Sequence, residues 1–155
     1  MLNPIPSEVD VAVIGAGSAG LPAFRAAREH TDRVILIERG PHGTTCARVG
    51  CMPSKLLIAA AEAAHGMEIA PGFGIHPGSI SIDGEAVMER VRRERDRFVG
   101  FVLDGVDRID PEQKISGQAR FVEDSRLEIG NSQVRAGRVV TVSYTHLTLP
   151  TSCCV

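Results

Sequence analysis

The chain has 155 residues, enough for one domain with its own core but not for two large ones. Hydrophobic residues make up 43% and charged residues 23%, an ordinary globular composition, and a net charge of -2 gives no electrostatic pull toward nucleic acid. No apolar run has the length of a membrane span, and the opening MLNPIPSEVD lacks the basic start and apolar core of a secretory leader; a reducing, cytoplasmic setting is the expectation. In such a setting a cysteine pair points to catalysis or metal binding before it points to a structural staple.

The first element is VDVAVIGAG, from Val9 to Gly17. Its β-branched run closed by glycine predicts a strand buried on both faces, as in a parallel sheet. GAGSAGLPAFRAAREH follows, rich in small and apolar residues, and predicts a helix packed closely on that sheet, with Pro22 in its first turns. RVILIE, from Arg33 to Glu38, predicts a second buried strand. Between strand and helix, Gly15, Gly17 and Gly20 spell G-x-G-x-x-G. The three glycines suit a tight turn, close backbone approach to a pyrophosphate, and close helix–strand contact. The helix N-terminus then offers unpaired N–H groups to the phosphates, and Glu38, at the end of the second strand, is placed to accept from a ribose. Dinucleotide binding is the reading; the motif alone does not separate FAD from NAD.

Next comes GTTCARVGCMPSK, from Gly43 to Lys55, with Cys46 and Cys51 separated by four residues. Such a pair can close a small, labile disulfide suited to exchange, and a helix start beneath it would favour a thiolate. The two cysteines should then lie within disulfide reach, with Cα atoms roughly 4.4–6.8 Å apart. Pro53 is expected to interrupt or kink the SKLLIAAAEAAH helix near its start. Two other readings stand beside this one. The cysteines can be buried and unreactive, or bind zinc with His42 and His65, although that spacing fits no usual four-ligand pattern.

Ala70 to Ile80 is a glycine- and proline-rich loop. The stretch from Asp83 to Val106 predicts a helix with Val87, Val91, Phe98 and Val102 on one face. Its arginines suggest RNA, but Glu85, Glu89, Glu94 and Asp96 interleave with them at pairing distance, so a solvated, ion-paired face is the reading. KISGQARFVED, RLEIGNSQVR and GRVVTV predict a small antiparallel meander.

The segment around the cysteine pair, together with the glycine turn, closely resembles the flavin-dependent pyridine nucleotide–disulfide oxidoreductases, a family that includes dihydrolipoyl dehydrogenase, mercuric reductase and glutathione reductase. The resemblance runs from about Val9 to Val140, and the ending PSK is most similar to the dihydrolipoyl dehydrogenase and mercuric reductase branches. Thr44 departs from it, since many members carry glycine there. The resemblance implies an α/β fold: a Rossmann-like FAD-binding domain, a parallel sheet with helices plus a small antiparallel β-meander, incomplete in this chain. It implies that Cys46 is the interchange thiol, that Cys51 lies against the flavin, and that Lys55 reaches the flavin near its reactive nitrogen. Gly15, Gly17, Ser18 and Gly20 would hold the pyrophosphate, Glu38 the adenosine ribose, Thr45 the phosphate region, and Ala119 the adenine side through its backbone. FAD is the implied cofactor, with NAD bound by a domain this chain lacks, and no metal. The implied parent enzyme is a homodimer that oxidises dihydrolipoamide, or handles another dithiol or disulfide, in some cases within a 2-oxoacid dehydrogenase complex, with neither nucleic acid nor membrane as partner. A mercuric reductase is the alternative, and an inactive partial flavin-binding module is the reading of the fragment itself.

The C-terminal end departs from this pattern. Residues 142–151, VSYTHLTLPT, are what a widely used transposase sequencing adapter encodes, and Ser152, Cys153 and Cys154 then fit its index, ahead of Val155. The expectation is therefore residues 1–141 as the N-terminal part of an FAD-binding domain and 142–155 as adapter read-through. On that reading Cys153 and Cys154 are not a mercury-binding pair, and the family's catalytic His–Glu pair is missing, so none of His30, His42, His65, His76 or His146 takes that role.

Overall fold

The computed structural model describes residues 5–143. Two compact units divide the chain: Met1–His42 with Gly105–Val155, and Gly43–Asp104, inserted between them in sequence.

The first unit is built on a six-stranded sheet. β1 (Glu8–Ile14), β2 (Val34–Glu38), β3 (Lys114–Ser116), β4 (Ala119–Glu123), β5 (Arg126–Ile129) and β6 (Ser132–Thr141) lie in the order β3-β2-β1-β6-β5-β4. β1 runs parallel to β2 and to β6, and β2 parallel to β3; β4, β5 and β6 are joined antiparallel. The predicted meander is therefore present but its membership differs. KIS is a parallel edge strand beside β2, not part of the meander. Gly117 separates it from β4: its N–H donates to the Glu38 carbonyl at 2.9 Å, and a Cβ there would stand 2.8 Å from Ile129. SQVR and GRVVTV are one continuous strand. The N-terminal half of β6 pairs with β5, from Arg126↔Arg135 to Ile129↔Ser132, and from Arg135 onward it pairs with β1.

Alternation along β2 sends side chains to both faces. Ile35 and Ile37 pack with Val9, Leu127 and Val134 on one face, while Val34 and Leu36 pack with Val13 and Phe24 on the other. The second face is covered by α1 (Gly20–Arg28), through Phe24 with Leu21, Ala23 and Ala27. A strand buried on both faces reads as a continuous apolar run, which is why VILIE lacks the polar alternation of a surface strand.

The second unit holds α2 (Thr45–Arg48), α3 (Cys51–Ile69), a single 3-10 turn (Ala70–Phe73) and most of α4 (Gly84–Asp107). Pro53 does not interrupt α3, which runs on through it. It stands in the first turn, where the backbone N–H has no intrahelical acceptor to lose. On α4, Val91 is buried and Val87 and Val102 half-buried, but Phe98 is exposed, against expectation. It meets Phe101 edge-on at 6.5 Å, and the Arg97 guanidinium lies 5.9 Å from the Phe101 ring, so the aromatics form an outer patch beside the buried stripe. The arginines do pair with interleaved acids: Arg97 with Glu94 at 3.3 Å and Arg95 with Asp96 at 2.7 Å. Among the described residues no helix is long and apolar enough to cross a membrane.

Candidate functional site: a glycine turn and a cysteine turn

The glycine turn leaves β1 and enters α1. Gly15 takes a φ of +107°, and a Cβ there would stand 2.8 Å from the Val142 carbonyl oxygen and from the Ser143 nitrogen. Gly20, at the first position of α1, is tighter still. A Cβ on it would come within 1.7 Å of the Gly15 carbonyl oxygen. Gly17 differs: nothing lies within 4 Å of where its Cβ would be. Two glycines thus let backbone approach backbone, and the third faces open space. That space suits a ligand brought against bare main chain, as a pyrophosphate requires. α1 has no acidic residue in its first turn and no side chain capping it, so its positive end is uncompensated on the same side. Ser18 is exposed beside it. The turn therefore fits a dinucleotide phosphate group.

Glu38 closes the turn from the neighbouring strand. Its Oε2 accepts from the Ala16 N–H at 2.8 Å and its Oε1 from the Gly40 N–H at 2.8 Å. The carboxylate ties the loop after β1 to the loop after β2, a task that reading from sequence did not foresee. The signal was available: an acid at the carboxyl end of β2 lies beside the turn that follows β1, because the two strands are parallel and adjacent. Ala119 begins β4 opposite Ile129 and packs against the core cluster, two residues past Gly117.

In the second unit the chain turns sharply before the cysteines. Gly43 has a φ of +103°, and Thr44 a φ of +57° with ψ of 144°. Thr44 is the one non-glycine residue with positive φ among the described residues, in a region where a side chain costs on the order of 1–3 kcal/mol. It also caps α2: its Oγ1 accepts from the Ala47 N–H at 3.0 Å, a contact worth about 1 kcal/mol. Sequence reading noted Thr44 only as a departure, although a threonine three residues ahead of a buried alanine carries a cap signal.

Cys46 lies in the first turn of α2 and Cys51 opens α3. Gly50 lets the two helices meet: a Cβ there would stand 3.2 Å from the Thr45 carbonyl oxygen and 3.5 Å from Cys46 Cα. Both cysteines are free thiols, Cys46 half-buried and Cys51 exposed. Their side chains are hydrogen-bonded to each other, and this bond is the first cause of a Cys46 thiol held above its ordinary range. Burial and the neighbouring Cys51 charge push the same way, while the Cys51 N–H and Lys55 pull it down. At Cys46 the sulfur partner thus outweighs the pull of Lys55 toward the thiolate. Lys55 and Thr45 are exposed in the same unit. Ser54 Oγ donates to the Gly50 carbonyl at 2.8 Å and fastens the start of α3. Among the described residues no three His, Cys, Asp or Glu are grouped to hold a metal. Residues 144–155, with Cys153 and Cys154, lie outside the described residues. Val142 and Ser143, placed beyond the domain in the sequence reading, lie against the glycine turn, and the Val142 N–H donates to the Ile14 carbonyl at 2.9 Å.

Comparison with known proteins gives a consistent picture. The sequence profile described as pyridine nucleotide-disulphide oxidoreductase matches residues 9–143. A mercuric reductase of Streptomyces lividans is 35% identical over 147 residues, covering 92% of this chain and 30% of the relative. A dihydrolipoyl dehydrogenase of Chlamydia muridarum is also 35% identical, over 77% of this chain and 26% of the relative. Among solved structures, a HOCl-induced flavoprotein disulfide reductase of Escherichia coli, in its Cu(II) complex, superposes with a TM-score of 0.63 at 21% identity, covering 89% of this chain and 29% of that one. That likeness carries the fold: a mixed α/β sheet, in part of a longer protein. The chain spans between about a quarter and a third of the length of these relatives.

Proposed function

Because this chain belongs to the pyridine nucleotide-disulphide oxidoreductase family, we propose that the protein carrying it is an FAD-dependent dithiol–disulfide oxidoreductase that works through Cys46 and Cys51. The observation that supports this reading most is the pair itself: two thiols in hydrogen-bond contact, one half-buried and one exposed, at the junction of α2 and α3. In the proposed reaction a substrate thiolate attacks Cys46 of the oxidised pair. A substrate–Cys46 bond forms, the Cys46–Cys51 bond breaks, and Cys51 leaves as the thiolate. The second substrate thiol then displaces Cys46, so that the substrate leaves as a disulfide and the protein keeps the two electrons as a dithiol. FAD, when bound, supplies the hydride chemistry that connects this dithiol to a nicotinamide. The glycine turn would hold the pyrophosphate on the α1 N-terminus, with Ser18 beside it and Glu38 at the ribose. Lys55 and Thr45 would serve the flavin side.

For the substrate we propose dihydrolipoamide, with NAD⁺ as acceptor and a homodimeric, cytoplasmic parent enzyme. Mercuric ion is the second reading, favoured by the Streptomyces lividans relative, which matches over more of this chain than the dihydrolipoyl dehydrogenase does. The test uses the full-length protein from the complete reading frame. Rapid NAD⁺-dependent oxidation of dihydrolipoamide, abolished by Cys46→Ser, is the expected result. Hg(II)-driven oxidation of NAD(P)H without lipoamide activity would replace that substrate by mercury, and absence of both activities in a flavin-loaded protein would remove the proposal. The 155-residue chain alone is expected to give no turnover.

A further inference from the structure

We propose that Thr44 is the positioning residue of the cysteine pair: it trades an unfavourable backbone turn for a side-chain cap, and so fixes the α2 turn that presents Cys46 to Cys51. This rests on the reading of Cys46 and Cys51 as the exchanging pair.

The argument begins with the backbone. A threonine at a φ of 57° is strained whatever surrounds it. Strain of that kind persists only where neighbouring contacts over-determine it. Here they do. Gly43, just before, leaves no room for a side chain, since a Cβ on it would stand 3.0 Å from Val99 Cγ1 and 3.1 Å from Arg48 Cδ. Just after, the Thr44 hydroxyl accepts the Ala47 N–H, and the Thr44 carbonyl accepts the Arg48 N–H at 3.1 Å. Ala47 is itself buried. Cys46 is one of the two residues, with Thr45, between the cap and its donor, so it has little freedom to rotate with the turn. On its other side Gly50 rests against Cys46 Cα. The thiol is thus aimed by contacts to the residues around it, with Thr44 supplying the hydroxyl contact.

A merely structural cap would change stability alone. A positioning residue changes the chemistry of Cys46, and that can be read without any cofactor. Cys46 faces Cys51 and Lys55, of which Cys51 raises its thiol pKa and Lys55 lowers it. If the turn loosens, the bond to Cys51 weakens and Cys46 ionises at lower pH. The experiment alkylates the full 155-residue chain with iodoacetamide across pH and reads Cys46 by peptide mass spectrometry. Trypsin cuts after Arg48, between the two cysteines, so each is followed on its own peptide.

Thr44→Ser keeps the hydroxyl; Thr44→Ala loses it and keeps the strain; Thr44→Gly loses it and removes the strain. The expected result is a Cys46 profile displaced to lower pH in Thr44→Ala and Thr44→Gly, about threefold faster at pH 8, and restored to within a factor of about 1.5 in Thr44→Ser. Should Thr44→Ala fail to fold by circular dichroism, Thr44→Gly carries the same comparison. A Cys46 profile unchanged in the folded variants, or shifted equally in Thr44→Ser, overturns the proposal. A second measurement equilibrates the wild-type chain with oxidised and reduced glutathione. Two protein thiols and one glutathione disulfide exchange to one Cys46–Cys51 disulfide and two glutathione thiols, which links the two tryptic peptides. If no such link forms while the alkylation profile still responds to Thr44, the redox reading falls and the positioning role stands.

Discussion

In the sheet-bearing unit, Ile35, Leu36, Ile37, Leu127 and Val134 are less than 2% exposed, whereas in Gly43–Asp104 the buried hydrophobics among the described residues are Ala47 and Val91. The glycine turn and the cysteine turn therefore stand on different supports. The first is held from beneath by a two-faced core, and its glycines are dictated by backbone packed on backbone. The second is held by local devices: a cap, a strained φ and a glycine contact between two helices. α3 has no buried residue at all, and leaves Leu57 and Ile58 about half exposed. A turn resting on a core tolerates little change in its frame; a turn resting on local bonds can be adjusted one bond at a time.

The largest contrast is in core truncation. Leu36→Ala should cost about 2–5 kcal/mol in urea unfolding of the chain, while Leu57→Ala should stay within about 0.5 kcal/mol. Equal effects would end the comparison. Next are the glycines. Gly20→Ala forces a methyl onto the Gly15 carbonyl and should cost about 1–3 kcal/mol or more. Gly17→Ala meets nothing and should leave stability within about 0.5 kcal/mol, yet lower the flavin retained by the full-length protein on purification. A Gly17→Ala protein with full flavin content would deny that turn its phosphate. Smaller again is Glu38→Ala, which leaves the Ala16 and Gly40 N–H groups without their carboxylate and should cost about 1–2 kcal/mol, with weaker flavin retention in the full-length protein.

The last prediction concerns a thiol rather than packing, and its effect on stability is the smallest of the set. Cys51→Ala removes the hydrogen-bond partner that raises the Cys46 thiol, so Cys46 should alkylate with a midpoint at lower pH than in the wild type. The sign for stability follows from the same shift. A thiol whose folded pKa lies above its unfolded value favours the fold below the unfolded pKa, and that contribution is lost as pH rises through the folded value. The wild-type chain should therefore lose a little stability on the alkaline side of the thiol range, and Cys51→Ala should lose less.

Much of this was legible because it is local. The strand–glycine–helix–strand series declares itself through short apolar runs and turn residues, and VILIE reads as buried because both its faces are. The departures lie where a distant partner decides. Nothing within RLEIGNSQVRAGRVVTV says that its final strand serves two sheet segments, since that depends on β1, more than a hundred residues earlier. Phe98 fits the helical period of Val91 and Val102, yet neighbours in space left it outside. Pro53 looked like an interruption because the start of α3 was set too late; once Cys51 is the first residue, proline is in the permitted turn. Thr44 was hidden for another reason: its conformation is one the residue type argues against, and only its surroundings account for it.

Among the described residues β1 is the first strand in chain order, and β6, which flanks it opposite β2, is the last. During synthesis β1, α1 and β2 can associate early from neighbouring sequence, as can the β4–β5–β6 hairpins later. The pairing of Glu8 with Arg135 must wait for nearly the whole described chain, with the Gly43–Asp104 unit spanning the interval. Loop closure over such a distance grows only logarithmically in cost, but non-local parallel pairing is slow. Until it happens, one side of β1 is a free edge on an apolar strand, the kind of surface that recruits a second chain. Soluble yield of this protein should accordingly depend more on dilution and on chaperones during synthesis than its finished sheet would suggest.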